Sequence, residues 1–472
     1  MDASAPSAGL DALSRQVKRD LELLDYPRRP WLLPRSTSQG APVYDVIIVG
    51  AGQSGLTAAF GLARERVGNV LVLDQNPLDR AGPWLNFARM RTLRTPKYLT
   101  GPDLGIPSLT PRAFYEAQFG EGSWEALGLL PKELWASYLS WFRRTLQIPV
   151  QAETTVGALE YDETERCFKV PCVGPSGKRL LFARRVVLAT GIDGSGQWRV
   201  PGSVSEALPP RLYAHTRDDI DFEALRGRRV AVLGAGASGF DNAATALEHG
   251  AAEVHLLFRR QKLVNVNPYR WAEFVGFLKH CADLPDADKW RFILQILRMG
   301  QLPPADTLAR AQQHSAFHLH AGAGWKSLTR RGDSVDIETE NGVLSVDFVI
   351  VATGFVTDLS TRPELARLAA QIALWSDRYA PPNAEHHEDL ARHPYLGSGF
   401  EFTEKTPGAA PYLAYLYNYT FGGLLSMGFG GASISGLKYS AERLVSAITG
   451  SLFVEDRAAH FASLCAFAEA EF

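Results

Sequence analysis

Val43-Tyr-Asp-Val-Ile-Ile-Val-Gly50-Ala-Gly52-Gln-Ser-Gly55 decides the fold of this chain. Its β-branched run predicts a buried strand, and the glycine turn that ends the strand opens a helix from Thr57 to Arg66. In such a turn the first glycine permits the tight bend and the second lets the backbone approach a diphosphate. The third allows close helix–strand packing. The helix amino terminus adds unpaired N–H groups that favour phosphate. The next strand, Val70-Leu-Val-Leu, ends in Asp74, about where an acid accepts hydrogen bonds from a ribose. A glycine turn alone also serves structural ends, but turn, helix, strand and acid together read as a dinucleotide-binding βαβ unit.

The same device recurs. Arg229-Val-Ala-Val-Leu233 predicts a strand, Gly234-Ala-Gly236-Ala-Ser238-Gly239 the turn, Phe240 to His249 a helix, and Glu253 to Phe258 the second strand. Here Phe258 is followed by Arg259 and Arg260, with no carboxylate. An acid there would repel a 2′-phosphate, whereas a guanidinium grips one through paired hydrogen bonds. The second unit is therefore read as an NADPH site, with Gly234, Gly236, Ser238, Gly239, Arg259 and Arg260 as its residues. The alternative for the arginines is a pair of solvated strand-end charges.

Working outward, residues 80–222 carry an aromatic helix from Trp135 to Arg144 and strands at Cys167–Val173 and Arg184–Thr190. Residues 262–317, with helices predicted at Trp271–His280 and Ala287–Arg298, are too long for a simple connection and read as an insertion over the active site. Asp347 to Thr353 is another buried strand, residues 356–415 are proline- and charge-rich, and a last helix is expected from Leu437 to Ile448. The expected fold class is α/β, with two Rossmann-like domains, the second inserted in the first. The divisions are an extension (1–42), the first part of one dinucleotide domain (43–222), the second domain (223–350) and the return to the first (351–472).

Composition narrows the function. With 472 residues and a net charge of -2, the chain has room for two cores and no electrostatic reason to bind nucleic acid. Cys167, Cys172, Cys281 and Cys465 form no C-x-x-C pair, and no cysteine–histidine spacing suggests a zinc site, so no metal is expected. Leu10, Leu13, Val17, Leu21 and Leu24 mark an amphipathic helix over 9–25, expected to pack on the protein body, and prolines stiffen Tyr26–Trp31. With no signal-peptide pattern and no apolar run of roughly 20 residues, the expectation is a cytoplasmic protein without a transmembrane segment. Oligomeric state is left open.

Gly82-Pro-Trp84, following Asp74-Gln75-Asn76, resembles the two-dinucleotide-binding-domain flavoproteins, which implies FAD at the first turn. Gly50, Gly52, Gln53, Ser54, Gly55, Asp74, Gln75 and Trp84 would then hold it. Gly430-Gly-Ala-Ser433-Ile-Ser435-Gly436 is similar to the segment whose helix amino terminus faces the flavin in that group, making Ser433 and Ser435 candidates. Val187-Leu-Ala-Thr-Gly191 and Val349-Ile-Val-Ala-Thr-Gly354 resemble the segments where such chains cross between domains. Over residues 43–450 the chain resembles class B flavoprotein monooxygenases. His215 stands where that class carries a fingerprint histidine, but Pro209, Arg211 and Asp219 depart from the rest of the motif. Met90-Arg-Thr-Leu-Arg-Thr-Pro-Lys97 is similar to the substrate-binding segment of ornithine and lysine N-hydroxylases. The resemblance implies Lys97 and Asn418 as catalytic candidates. It further implies that NADPH reduces FAD and that O2 then forms a C4a-(hydro)peroxyflavin, which oxygenates a small organic substrate. The rival expectation is an FAD-dependent reductase or dehydrogenase passing electrons to a small-molecule acceptor.

Overall fold

Pro42–Val49 forms the centre of the first sheet, buried along almost its whole length as a parallel strand covered on both faces must be. The computed structural model describes residues 8–24, 27, 29–99 and 101–472. Residues 1–7 of the extension, and Tyr26 and Arg28 of the proline-stiffened stretch, lie outside these. The first sheet runs in the order Val150–Gln151, Val70–Leu73, Pro42–Val49, Gly177–Leu188, Cys167–Gly174, Thr155–Val156. Gly177–Leu188 serves two neighbours on one edge. Its first half pairs antiparallel with Cys167–Gly174, and its end pairs in parallel with Leu416–Asn418.

The second sheet is all parallel: Tyr213–His215, Phe348–Val351, Arg229–Leu233, Glu253–Leu257, Phe317–His320. The helix Ala237–Glu248 packs on one face through Phe240, Ala243 and Leu247. A three-stranded meander, Trp325–Arg331, Ser334–Thr339 and Gly342–Val346, covers the other through Leu328, Val335 and Ile337. The chain enters this sheet after Leu188 and leaves it after Val351, so the second unit is inserted in the first. The two crossings are themselves paired: Gly196–Trp198 runs antiparallel to Phe355–Thr357, with Trp198 opposite Phe355. Each Ala-Thr-Gly segment stands just before one of these strands.

The insertion forms helices at Pro268–Trp271, Val275–His280, Asp286–Met299 and Ala305–Gln312. Its largest helix buries Trp290, Ile293 and Leu294 against Trp375, Leu390 and Leu424 of the returning first unit. The amino-terminal helix, Ala8–Leu23, docks on the body: Leu10 and Val17 are buried and Trp141 Nε1 donates to Ser14 Oγ at 3.0 Å. Among the described residues no helix is long and apolar enough to cross a membrane.

The last helix runs Leu437–Cys465, well beyond the predicted Ile448. Its extra turns carry Glu455, which meets two fully buried guanidiniums, Arg184 at 3.1 Å and Arg185 at 2.9 Å. Asp456 and Asp45 complete the set around Arg184 at 2.8 and 3.3 Å. Burial alone would raise the Glu455 carboxyl, but Arg185 and Arg184 outweigh it and hold it below the usual glutamate range. Two charges in the middle of a sheet need those carboxylates, and that need carries the helix through Gly450.

Candidate functional site

At the end of Pro42–Val49 the backbone turns with Gly50 at φ +109°, where a side chain is strained. A Cβ at Gly50 would lie 2.4 Å from the Ala189 carbonyl oxygen, and one at Gly55 would lie 1.9 Å from that of Gly50. A Cβ at Gly52 would meet nothing nearer than the Gly82 Cα at 3.8 Å. The outer glycines are thus fixed by packing, and the middle one by the space it leaves in front of the helix Gln53–Arg64. The Asp74 carboxylate accepts the Ala51 N–H at 2.7 Å and the Asn76 N–H at 2.8 Å, which clamps the turn to the second strand.

Gly82 folds over this cradle, and Trp84 is buried behind it with its indole Nε1 lacking a hydrogen-bond partner among the described residues. A buried N–H without an acceptor costs free energy unless a ligand supplies one. Gln53 accepts from Trp135 Nε1 at 3.2 Å and donates to the Ala432 carbonyl at 3.3 Å, while Ser54 Oγ donates to that of Gly431 at 2.6 Å. Those two side chains therefore join the cradle to the segment before the last helix, in which Ser433 and Ser435 are half-buried; Gln75 is exposed. The open turn, the orphaned indole and the adjoining helix amino terminus fit a bound dinucleotide such as FAD.

The second turn is built alike. Gly234, at φ +118°, sets its Cβ position 2.5 Å from the Ala352 carbonyl oxygen, and Gly239 sets its own 2.2 Å from that of Gly234. Gly236 has nothing within 4 Å. In both units the first glycine therefore leans on the alanine of an Ala-Thr-Gly segment, which explains in contact terms why those tripeptides follow the strands. Ser238 is exposed at the mouth. The two strand-end arginines differ: Arg260 donates to the Arg298 and Met299 carbonyls at 3.2 and 3.3 Å, while Arg259 is exposed and has no ion pair among the described residues.

His215 lies at the end of the outermost strand beside the crossings, its ring 5.2 Å from that of Trp198. Burial holds its imidazole below the usual range against the pull of Asp218, so the ring is neutral near pH 7. Asn418 is fully buried at the end of Leu416–Asn418, with its Nδ2 donating to Ser195 Oγ at 2.9 Å and its Oδ1 accepting from Thr420 Oγ1 at 2.7 Å. Thr190 Oγ1, in the first crossing, is buried without a partner among the described residues.

The basic stretch after Met90 is engaged by protein partners, although Arg91 and Arg94 remain exposed. Arg91 pairs with Glu248 at 2.8 Å and Arg94 with the buried Asp241, both acids lying on the helix of the second unit. Lys97 donates to the Trp124 carbonyl and, at 2.5 Å, to that of Leu127. Sequence reasoning missed these partners because they lie 147 and 157 residues away for the two arginines.

The cysteines do not form a redox pair. Cys167 and Cys172 sit on one strand five residues apart, hence on opposite faces, and burial pushes the Cys167 and Cys281 thiols up to about 11.

Residues 44–276 match the pyridine nucleotide-disulphide oxidoreductase family. Over 463 residues the chain is 44% identical to an FAD-dependent urate hydroxylase of Xanthomonas campestris pv. campestris, covering 98% of this chain and 97% of the relative. Among solved structures, the ornithine hydroxylase of Pseudomonas aeruginosa superposes with a TM-score of 0.68 at 16% identity, covering 87% of this chain and 99% of the other. The ornithine N-hydroxylase of Kutzneria sp. 744, solved with reduced FAD, NADP+ and L-ornithine, gives 0.66 at 17% identity, covering 87% and 100%.

Proposed function

The chain belongs to the flavoprotein monooxygenases, in the group of FAD-dependent hydroxylases, and from that premise we propose that it uses FAD and NADPH to hydroxylate urate or a closely related oxopurine. Per turnover one oxygen atom of O2 enters the substrate and the other leaves as water, with NADPH supplying two electrons. The observation that carries the reading is the paired construction: two open glycine cradles, each braced on an alanine carbonyl at a crossing, and a 44% identical urate-hydroxylating relative along nearly the whole chain.

In this reading the first cradle, Asp74 and the Trp84 N–H hold FAD, which when bound and reduced supplies the activation of O2. The amino terminus of Leu437–Cys465 stabilises negative charge brought next to it. Asn418, fully buried and bonded to Ser195 and Thr420, contributes by bracing the first crossing and does not itself touch the substrate. Lys97 contributes from a distance by clamping the turn at Trp124 and Leu127. At the second cradle Arg259 takes the 2′-phosphate while Arg260 anchors the insertion helix. Neutral His215 beside Trp198 packs between the crossings without adding charge.

The test is to follow NADPH oxidation by the FAD-loaded protein with and without urate, and to count 18O from labelled O2 in the product. Urate-dependent oxidation with one labelled atom retained is the expected result. NADPH oxidation that ignores urate and yields only peroxide would overturn the substrate and point to a reductase. In Arg259→Ala the KM for NADPH is expected to rise about tenfold, the loss of one charge-assisted hydrogen bond, with the KM for NADH nearly unmoved.

A further inference from the structure

We propose that Glu253, His255 and His318 bind one divalent transition-metal ion, Zn2+ foremost, at the edge of the second sheet, away from both nucleotide cradles. The strands Glu253–Leu257 and Phe317–His320 run in parallel with His255 directly opposite His318. Residues two apart on a strand share a face, so Glu253 and His255 stand beside His318 and His320. One ligand atom from each of Glu253, His255 and His318 lies within 4.8 Å of the others. The His255 and His318 rings stack at 4.7 Å. Glu253 Oε2 is 3.2 Å from His255 Nε2, and His255 Nδ1 is 3.0 Å from His320 Nε2.

Imidazole nitrogens with one carboxylate oxygen are the donor set of zinc, bound at about 2.0–2.2 Å, and copper or nickel compete for the same donors. Closing the cluster to that size needs a rotation of the Glu253 side chain, which is half solvent-exposed at 47%, and a turn of the His318 ring out of its stack on His255 so that both lone pairs point at the ion. His320 completes the design as an outer partner: with His255 Nε2 on the metal, its Nδ1–H donates to His320 Nε2, and this orients the ligand ring. The nearby cation, Arg229, is occupied by Asp347 through a two-pronged ion pair and leaves Glu253 free for a metal. Phe317–His320 is an edge strand paired on one side only, so a bound ion would staple the sheet where it is weakest.

The experiment is calorimetric titration of chelator-treated, FAD-loaded protein with ZnCl2, run beside His318→Ala, His320→Phe and the rim variant Glu253→Gln. One Zn2+ per chain is expected for the parent. Affinity is expected to fall by more than about 100-fold in His318→Ala, and by about 10- to 100-fold in His320→Phe. Zn2+ is also expected to raise the melting temperature of the parent and not that of His318→Ala. Glu253→Gln changes only a half-exposed side chain, so its weakened binding with unchanged FAD content separates ligation from misfolding. No uptake by the parent, or equal uptake by parent, His318→Ala and Glu253→Gln, overturns the site.

Discussion

Gly55 and Gly236 are both turn glycines, yet they are kept for opposite reasons. A methyl at Gly55 would collide with the Gly50 carbonyl at 1.9 Å, whereas a methyl at Gly236 would touch nothing in the protein. Gly55→Ala is therefore expected to destabilise the fold, seen as a lowered melting temperature and poor flavin content. Gly236→Ala is expected to melt with the parent and still raise the KM for NADPH by about tenfold or more, because its methyl intrudes only where a diphosphate would lie. Equal melting losses in both variants would remove the distinction. Positions of this kind were legible in the sequence because a dinucleotide turn constrains neighbouring residues. Arg91 and Arg94 were not, since nothing local foretells that Glu248 and Asp241 will meet them from another domain.

Among the elements, the two βαβ units follow from β-branched runs ending in glycine; both formed, with their helices starting inside the glycine turn, at Gln53 and Ala237, earlier than the expected Thr57 and Phe240. The last helix shows what periodicity does not contain. Its first turns are apolar and readable, but its continuation depends on Arg184 and Arg185, which are fully buried in the fold and whose acidic partners nothing local in the sequence foretells. The histidine cluster was hidden for a related reason, since strand pairing alone brings His255 to His318. Glu455→Gln leaves three guanidiniums, those of Arg35, Arg184 and Arg185, short of a charge and is expected to cost about 3 kcal/mol in urea unfolding. The Glu455 pKa is depressed in the folded state, so its contribution is complete above the unfolded value of about 4.3 and fades as pH falls through the lower folded value. Asp45, raised by burial, runs the other way and is common to both proteins. The gap between parent and variant is thus expected to be widest near neutrality and to close below about pH 4. A gap independent of pH would mean that packing, not charge, holds the helix end.

For the molecule as a whole, the short ladder between Gly196–Trp198 and Phe355–Thr357 sets how the two units face each other. A Cβ at Gly196 would fall 1.8 Å from the Val356 carbonyl oxygen, so Gly196→Ala must part the two crossings. Both cradles stay intact in that variant, and FAD content is expected to hold. Anaerobic reduction by NADPH is expected to slow by about 100-fold, the effect of roughly 1 Å of misplacement on a transfer that depends on alignment. Unchanged reduction would show that the ladder does not set that alignment. The alanine carbonyls under Gly50 and Gly234 extend the point, because each phosphate turn rests on a strand that leads into this one ladder. The two nucleotides are then thermodynamically linked ligands: whatever factor bound flavin adds to the affinity for NADP+, NADP+ confers on flavin in equal measure. Dilute enzyme stored with NADP+ is accordingly expected to stay yellow longer than enzyme stored without it.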